Sequence, residues 1–153
     1  MFKRISSAAN TLVWVVFAFA ALQTCAQAAE KPITLVIGGH VVDAEVVATP
    51  EGRERGLMFR EKLGKNDGML FVFDQVGYHG MWMRNTLIPL SVAFIDEKGK
   101  ILNIAEMLPH SEITHRAAGP IRYALEMNAG WFRKRNLGPG TTIKGIEKAP
   151  RGQ

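Results

Sequence analysis

From residue 33 onward the chain is a succession of short apolar runs, rich in β-branched and aromatic residues, each closed by turn-forming residues. ITLVI and VVDAEVVA flank Gly38-Gly39, a hairpin signal. MLFVF (69–73) follows the turn chemistry of LGKNDG, and LIPLSVAFI (87–95) leads through DEKGK into ILNIAEML. IRYALEM (121–127) and a final run within LGPGTTIKGIEK complete the series. No run is long enough, or helically periodic enough, to build a parallel sheet wrapped in long helices. The expectation is a mainly β domain: a compact antiparallel barrel or jelly-roll-like sandwich with one or two short helices. One helix is predicted within TPEGRERGLMFR (49–60), where Thr49 can cap, Pro50 suits the first helical position and Gly56 can stop it. A second short helix fits residues 128–136. Pro89 confines its run to an edge, a bulge or a strand start.

Residues 1–28 read as a separate object. Lys3 and Arg4 precede an apolar run, LVWVVFAFAAL (12–22), and Ala26 and Ala28 make a small-x-small ending. That is the pattern of a secretory signal cleaved between Ala28 and Ala29. The apolar run is shorter than the ~20 residues of a membrane-spanning helix. LQTC resembles a lipoprotein box, but Thr24 stands where a smaller residue is wanted, so lipidation of Cys25 is not expected. The predicted product is a soluble periplasmic or secreted protein with no membrane span after cleavage; the alternative is an anchor left uncleaved. Residues 29–39 are then a linker and first strand, 40–146 a single domain, and 147–153 a flexible tail.

The only cysteine lies within the predicted signal. A mature chain without cysteine has no disulfide, thiol nucleophile or thiolate ligand, and its fold rests on packing. His40, His79, His110 and His115 lack metal-ligand spacing, so no metal or other cofactor is implied. Removing Lys3 and Arg4 leaves seventeen basic residues against fourteen acidic, a net charge of +3. Apart from RKR (133–135) the basic residues are scattered, which favours solubility and gives no nucleic-acid footprint. No nucleophile elbow or Ser/His/Asp order is present, and Tyr78 and Trp131 suit packing as well as binding.

The densest group of chemistry-bearing residues is WMRNT (82–86). Tryptophan offers a stacking face, arginine a fork of donors, asparagine a donor and acceptor, and threonine a hydroxyl. In extended backbone Trp82, Arg84 and Thr86 would share one face, and Met81, Met83 and Asn85 the other. Glu126, inside YALEM, is a carboxylate where an apolar residue would be easier to bury. Pairing with Arg84 would account for both charges, either as scaffold or as one wall of a polar pocket. Arg53 is a further candidate, as an anion contact or a structural ion pair.

TPEGRERGLMFREKL, GMLFVF, WMRNTLIPLSVAFID and YALEMNAG, in that order, resemble the domain of unknown function 192 family, a prokaryotic group often found behind signal peptides. The resemblance covers residues 40–145 and implies a β-rich, barrel-like or jelly-roll-like domain without an established activity. Two positions depart from the family pattern: Ser91 and Thr141 stand where acidic residues are usual. The expected function is a non-enzymatic module that binds a small molecule or glycan, anionic or polyhydroxylated, from the cell envelope. Its candidate residues are Trp82, Arg84, Asn85, Thr86, Glu126 and Arg53. The alternatives are a small hydrolase or isomerase with Glu126 as acid or base, or a structural subunit of an envelope complex.

Overall fold

Gly38 and Gly39, at φ 54° and 83°, supply the two left-handed residues of a tight hairpin. They join β1 (Ile33–Ile37) to β2 (His40–Val47) in antiparallel register, with Ile37 opposite His40. The computed structural model describes residues 31–153; the predicted signal, its cleavage site and Cys25 lie outside the described residues. Seven strands form one sheet, in the order β6-β5-β8-β3-β2-β1-β9. The remaining members are β3 (Asp67–Gly77), β5 (Leu90–Ile95), β6 (Ile101–Met107), β8 (Ile121–Asn128) and β9 (Ile143–Lys144). A small second sheet pairs β4 (Gly80–Met81) with β7 (His115–Arg116).

The sheet curls until its two edges meet. Lys100, just before β6, bridges Thr142, just before β9. Backbone bonds from Ile101 to Thr141 and from Ile143 to Gly99 continue the seam at 2.9 and 2.8 Å. Alternation then separates two cores. Leu35, Val42, Leu70, Ala93, Leu125 and Ile143 point inward and fill the curled sheet. On the opposite face of β3, β5 and β8, Met69, Phe71, Val92, Phe94 and Ala124 form the second core, covered by Leu57, Met81 and Met83.

One pairing departs from the antiparallel expectation. β2 and β3 run parallel, with Asp43 opposite Asp67 and Val47 opposite Phe71. Parallel neighbours need a long crossover instead of a hairpin, and residues 48–66 provide it. Within it lies α1 (Pro50–Arg55): the Thr49 side chain accepts from the Gly52 amide, Pro50 opens the helix, and Gly56 ends it at φ 44°. Short 3-10 turns at Arg133–Arg135 and Ile146–Lys148 are the remaining helical pieces.

At the tail, the Gln153 amide donates to Ala48 O at 2.8 Å, and the Gln153 carbonyl accepts from Arg53 Nη2 at 2.9 Å. Gly152 lies so close to the Phe73–Asp74 backbone that a β-carbon has no room.

Candidate functional site

The chain leaves β4 into a turn that presents WMRNT at the surface. Met83 is anchored by its amide to Ser111 O at 2.8 Å, and its carbonyl accepts from the Thr86 amide at 3.0 Å. Asn85 closes the turn in the left-handed region, at φ 55°. This reversal breaks the alternation expected of an extended strand. Trp82, Arg84 and Asn85 are therefore exposed together, while Thr86, expected beside Trp82 and Arg84, turns inward and is buried. The Arg84 guanidinium lies 5.7 Å from the Trp82 ring centre, within cation–π reach.

Facing this turn is the segment that follows α1. The Asn85 carbonyl accepts from the Phe59 amide at 2.9 Å, tying the two loops together. Phe59 itself stands at φ 62° and is 66% exposed as a residue. A large aromatic residue is costly in that conformation, and so little burial offsets little of the cost. Between the loops runs a cleft of about 360 Å³, lined by Glu54, Arg55, Phe59, Trp82, Arg84 and Asn85. A neighbouring hollow of about 580 Å³ shares Glu51, Arg55, Met58 and Phe59 with it. The far wall of that hollow carries Arg60 and Glu45, joined by two hydrogen bonds of 2.6 and 2.5 Å. The bonded carboxylate holds the Arg60 pKa above its ordinary value, against the opposing effect of burial.

Beneath the turn, a pit of about 20 Å³ is lined in part by Trp82, Arg84, Thr86 and Glu126. Glu126 is 3% exposed and lies in register between Met69 and Val92 on the second-core face. Desolvation pushes its carboxyl up to about 8, so at neutral pH it carries a proton. The expected ion pair with Arg84 is not formed. Among the described residues the one salt bridge is Arg60–Glu45; Arg84 stays on the exposed turn against Trp82, while Glu126 projects from the sheet below. The two line the same pit without pairing.

Arg53 also lines the pit. Its guanidinium donates to Ala48 O at 2.6 Å, Val72 O at 3.0 Å and Gln153 O at 2.9 Å. No group of three or more metal-ligating side chains occurs among the described residues. Ser91 is fully buried; its hydroxyl donates to Glu106 Oε2 at 2.8 Å and accepts from the Gly130 amide at 2.8 Å. A carboxylate from the neighbouring strand thus reaches the place where the family pattern has its own. Sequence reading missed Arg55, Met58, Phe59 and Glu54. The available signal was the short apolar run Leu57-Met58-Phe59 between two charged stretches.

A family model described as an uncharacterised ACR group, the domain of unknown function 192, matches residues 33–145. The chain belongs to that family. No curated protein matches it. Among solved structures, this domain of unknown function 192 protein resembles one from Sinorhizobium meliloti 1021 described as a "putative transcription regulator". The two share 35% identity at a TM-score of 0.70, over 76% of this chain and 93% of that one. A protein of unknown function from Novosphingobium aromaticivorans DSM 12444 is 34% identical at a TM-score of 0.68, over 74% of this chain and 83% of that one. The structural relatives thus share the fold of the domain of unknown function 192, and their descriptions carry no ligand.

Proposed function

We infer that this protein is a non-enzymatic binding module for a polyhydroxylated ligand of saccharide type, acting outside the cytoplasm. The observation that carries the reading is the exposed, backbone-strained Phe59 ring on one wall of a cleft that also holds Trp82. Flat aromatic faces suit the apolar faces of sugar rings, and Asn85 supplies amide hydrogen bonding at the rim. Charge favours the polyhydroxylated over the anionic alternative: Arg55 and Arg84 are balanced in the cleft by Glu51 and Glu54. Such a cleft is no electrostatic trap for an anion. Export rests on the positive start, apolar core and small-residue ending of residues 1–28, and intact-mass analysis of the secreted product checks it.

The test is amide chemical-shift mapping of the purified protein with maltotriose and with N-acetylglucosamine oligomers. The expected result is a set of shifts centred on Phe59, Trp82 and Asn85, lost in Phe59→Ala and Trp82→Ala. If neither probe shifts these amides at ~10 mM, well above a 1 mM dissociation constant, the reading is wrong.

One observation favours a hydrolase as second reading. Glu54 lines the same pit as the proton-bearing Glu126, so two carboxyl groups in different environments share one space. The pit's 20 Å³ argues against it, because a scissile bond with its flanking groups does not fit there. Release of shorter sugars from either probe, abolished in Glu126→Gln, would favour catalysis over binding.

A further inference from the structure

We propose that Glu126 is the selectivity residue of the cleft, its carboxyl taking a single hydroxyl group that a polyhydroxylated ligand lowers into the pit beneath Trp82. This assignment rests on the binding reading above and deepens it.

Three observations carry it. First, nothing in the fold explains Glu126. Its register neighbours are Met69 and Val92, and the same face holds Phe71 and Ala124. An apolar side chain would be cheaper in such surroundings. Among the described residues the carboxyl has no ion pair, and none of the hydrogen bonds formed there reaches it; Arg84, the expected partner, lies against Trp82. Second, the group is not sealed. No buried side-chain nitrogen or oxygen among the described residues is left both closed off from solvent and unbonded. The unbonded carboxyl of Glu126 must therefore open onto the pit it lines. Third, the size is selective. At about 20 Å³ the pit has room for a group the size of one water molecule, and not for a sugar ring or a second carboxylate.

A hydroxyl group is the matching chemistry. It is as small as water, and it both donates and accepts. A proton-bearing carboxyl offers the complementary pair, an O–H donor and a C=O acceptor. Thr86 adds a hydroxyl to the wall, its own hydrogen donated to Arg84 O at 3.3 Å and its lone pairs left as acceptors. A ligand ring stacked on Trp82 would thus be read by whether it can lower one hydroxyl between Thr86 and Glu126. A site built to bond a hydroxyl rejects an analogue lacking it, because its buried polar groups are then left unpaired.

The experiment titrates wild type, Glu126→Gln and Glu126→Leu with maltotriose. It follows the Phe59 and Trp82 amides and, in wild type, the Glu126 side-chain carboxyl by carbon NMR. Glutamine keeps a donor and an acceptor and should bind within about threefold of wild type, whereas leucine should lose about tenfold or more, the scale of one lost hydrogen bond. The wild-type carboxyl resonance should move in step with the Phe59 and Trp82 amides, a readout that does not depend on either variant folding. Amide shifts with a silent carboxyl, or full-strength binding by Glu126→Leu, overturn the Glu126 assignment and leave the cleft reading standing. Silence of amides and carboxyl alike with both maltotriose and N-acetylglucosamine oligomers overturns the cleft reading and this assignment with it.

Discussion

Two residues carry costs that the fold does not repay locally. Phe59 holds a left-handed conformation at φ 62° and is mostly exposed. Removing the ring should therefore cost little, and the backbone preference should become visible. Phe59→Gly is expected to be more stable than Phe59→Ala by about 1 kcal/mol, the penalty of a β-carbon in that region, as urea denaturation would show. The reverse order would mean that the loop relaxes and stores no strain. Glu126 carries the other cost. Its folded pKa of about 8 lies above the ordinary 4.5, so the folded state keeps a proton that the unfolded chain releases. Stability attributable to this group is complete below about pH 4.5 and falls as pH rises to about 8, then levels off. Glu126→Gln removes the titration. Relative to wild type it should gain on the order of 5 kcal/mol across that window, at ~1.4 kcal/mol per unit. Melting temperature against pH for both proteins checks it. Parallel curves would show that Glu126 ionises freely in the fold, even with Arg53, Glu54, Arg55 and Arg84 around the pit.

At the level of elements, local chemistry was readable and pairing was not. Thr49, Pro50 and Gly56 announce α1 because capping and positive φ are properties of single residues and their neighbours. Gly38-Gly39 announces the first hairpin for the same reason. The parallel β2–β3 pairing was invisible because it depends on where the crossover returns, not on either strand's pattern. WMRNT was singled out by composition, yet its faces were misassigned, since the Asn85 reversal that turns Thr86 inward depends on tertiary bonds to Phe59 and His110. Arg53 shows the same limit: its three carbonyl partners come from the loop before α1, from β3 and from the tail. That makes it the clamp holding the crossover and tail on the sheet. Arg53→Met should destabilise by about 2–3 kcal/mol, since charge-assisted bonds to carbonyls are lost together. A stability change within about 0.5 kcal/mol, the range of ordinary surface substitutions, would refute the clamp.

For the whole molecule, seven β-rich runs imply a curled sheet but leave its closure open, and closure depends on a few atoms. β9 is only two residues long, Ile143–Lys144. One side of it pairs with β1, and the segment just before it bonds across the seam to residues 99–101. A strand this short has little stability of its own, so it is held by the inward packing of Ile143 and by the seam bonds together. Ile143 is 2% exposed among the residues that fill the curled sheet. Ile143→Ala should then do two things at once. It should cost about 2–4 kcal/mol through the lost methyl groups and the cavity they leave, and it should loosen the seam more than the rest of the sheet. Hydrogen exchange separates the two effects. In wild type the Ile101 and Ile143 amides, bonded to Thr141 and Gly99, should exchange as slowly as those of the central strands β3 and β8. In Ile143→Ala they should become the fastest of the strand amides, while the central strands slow or quicken only with global stability. Uniform acceleration of every strand would mean that the sheet opens as one unit. Fast exchange at Ile101 in wild type would mean that the seam is already open, leaving a half-barrel whose stability lies in β1, β2, β3, β5 and β8.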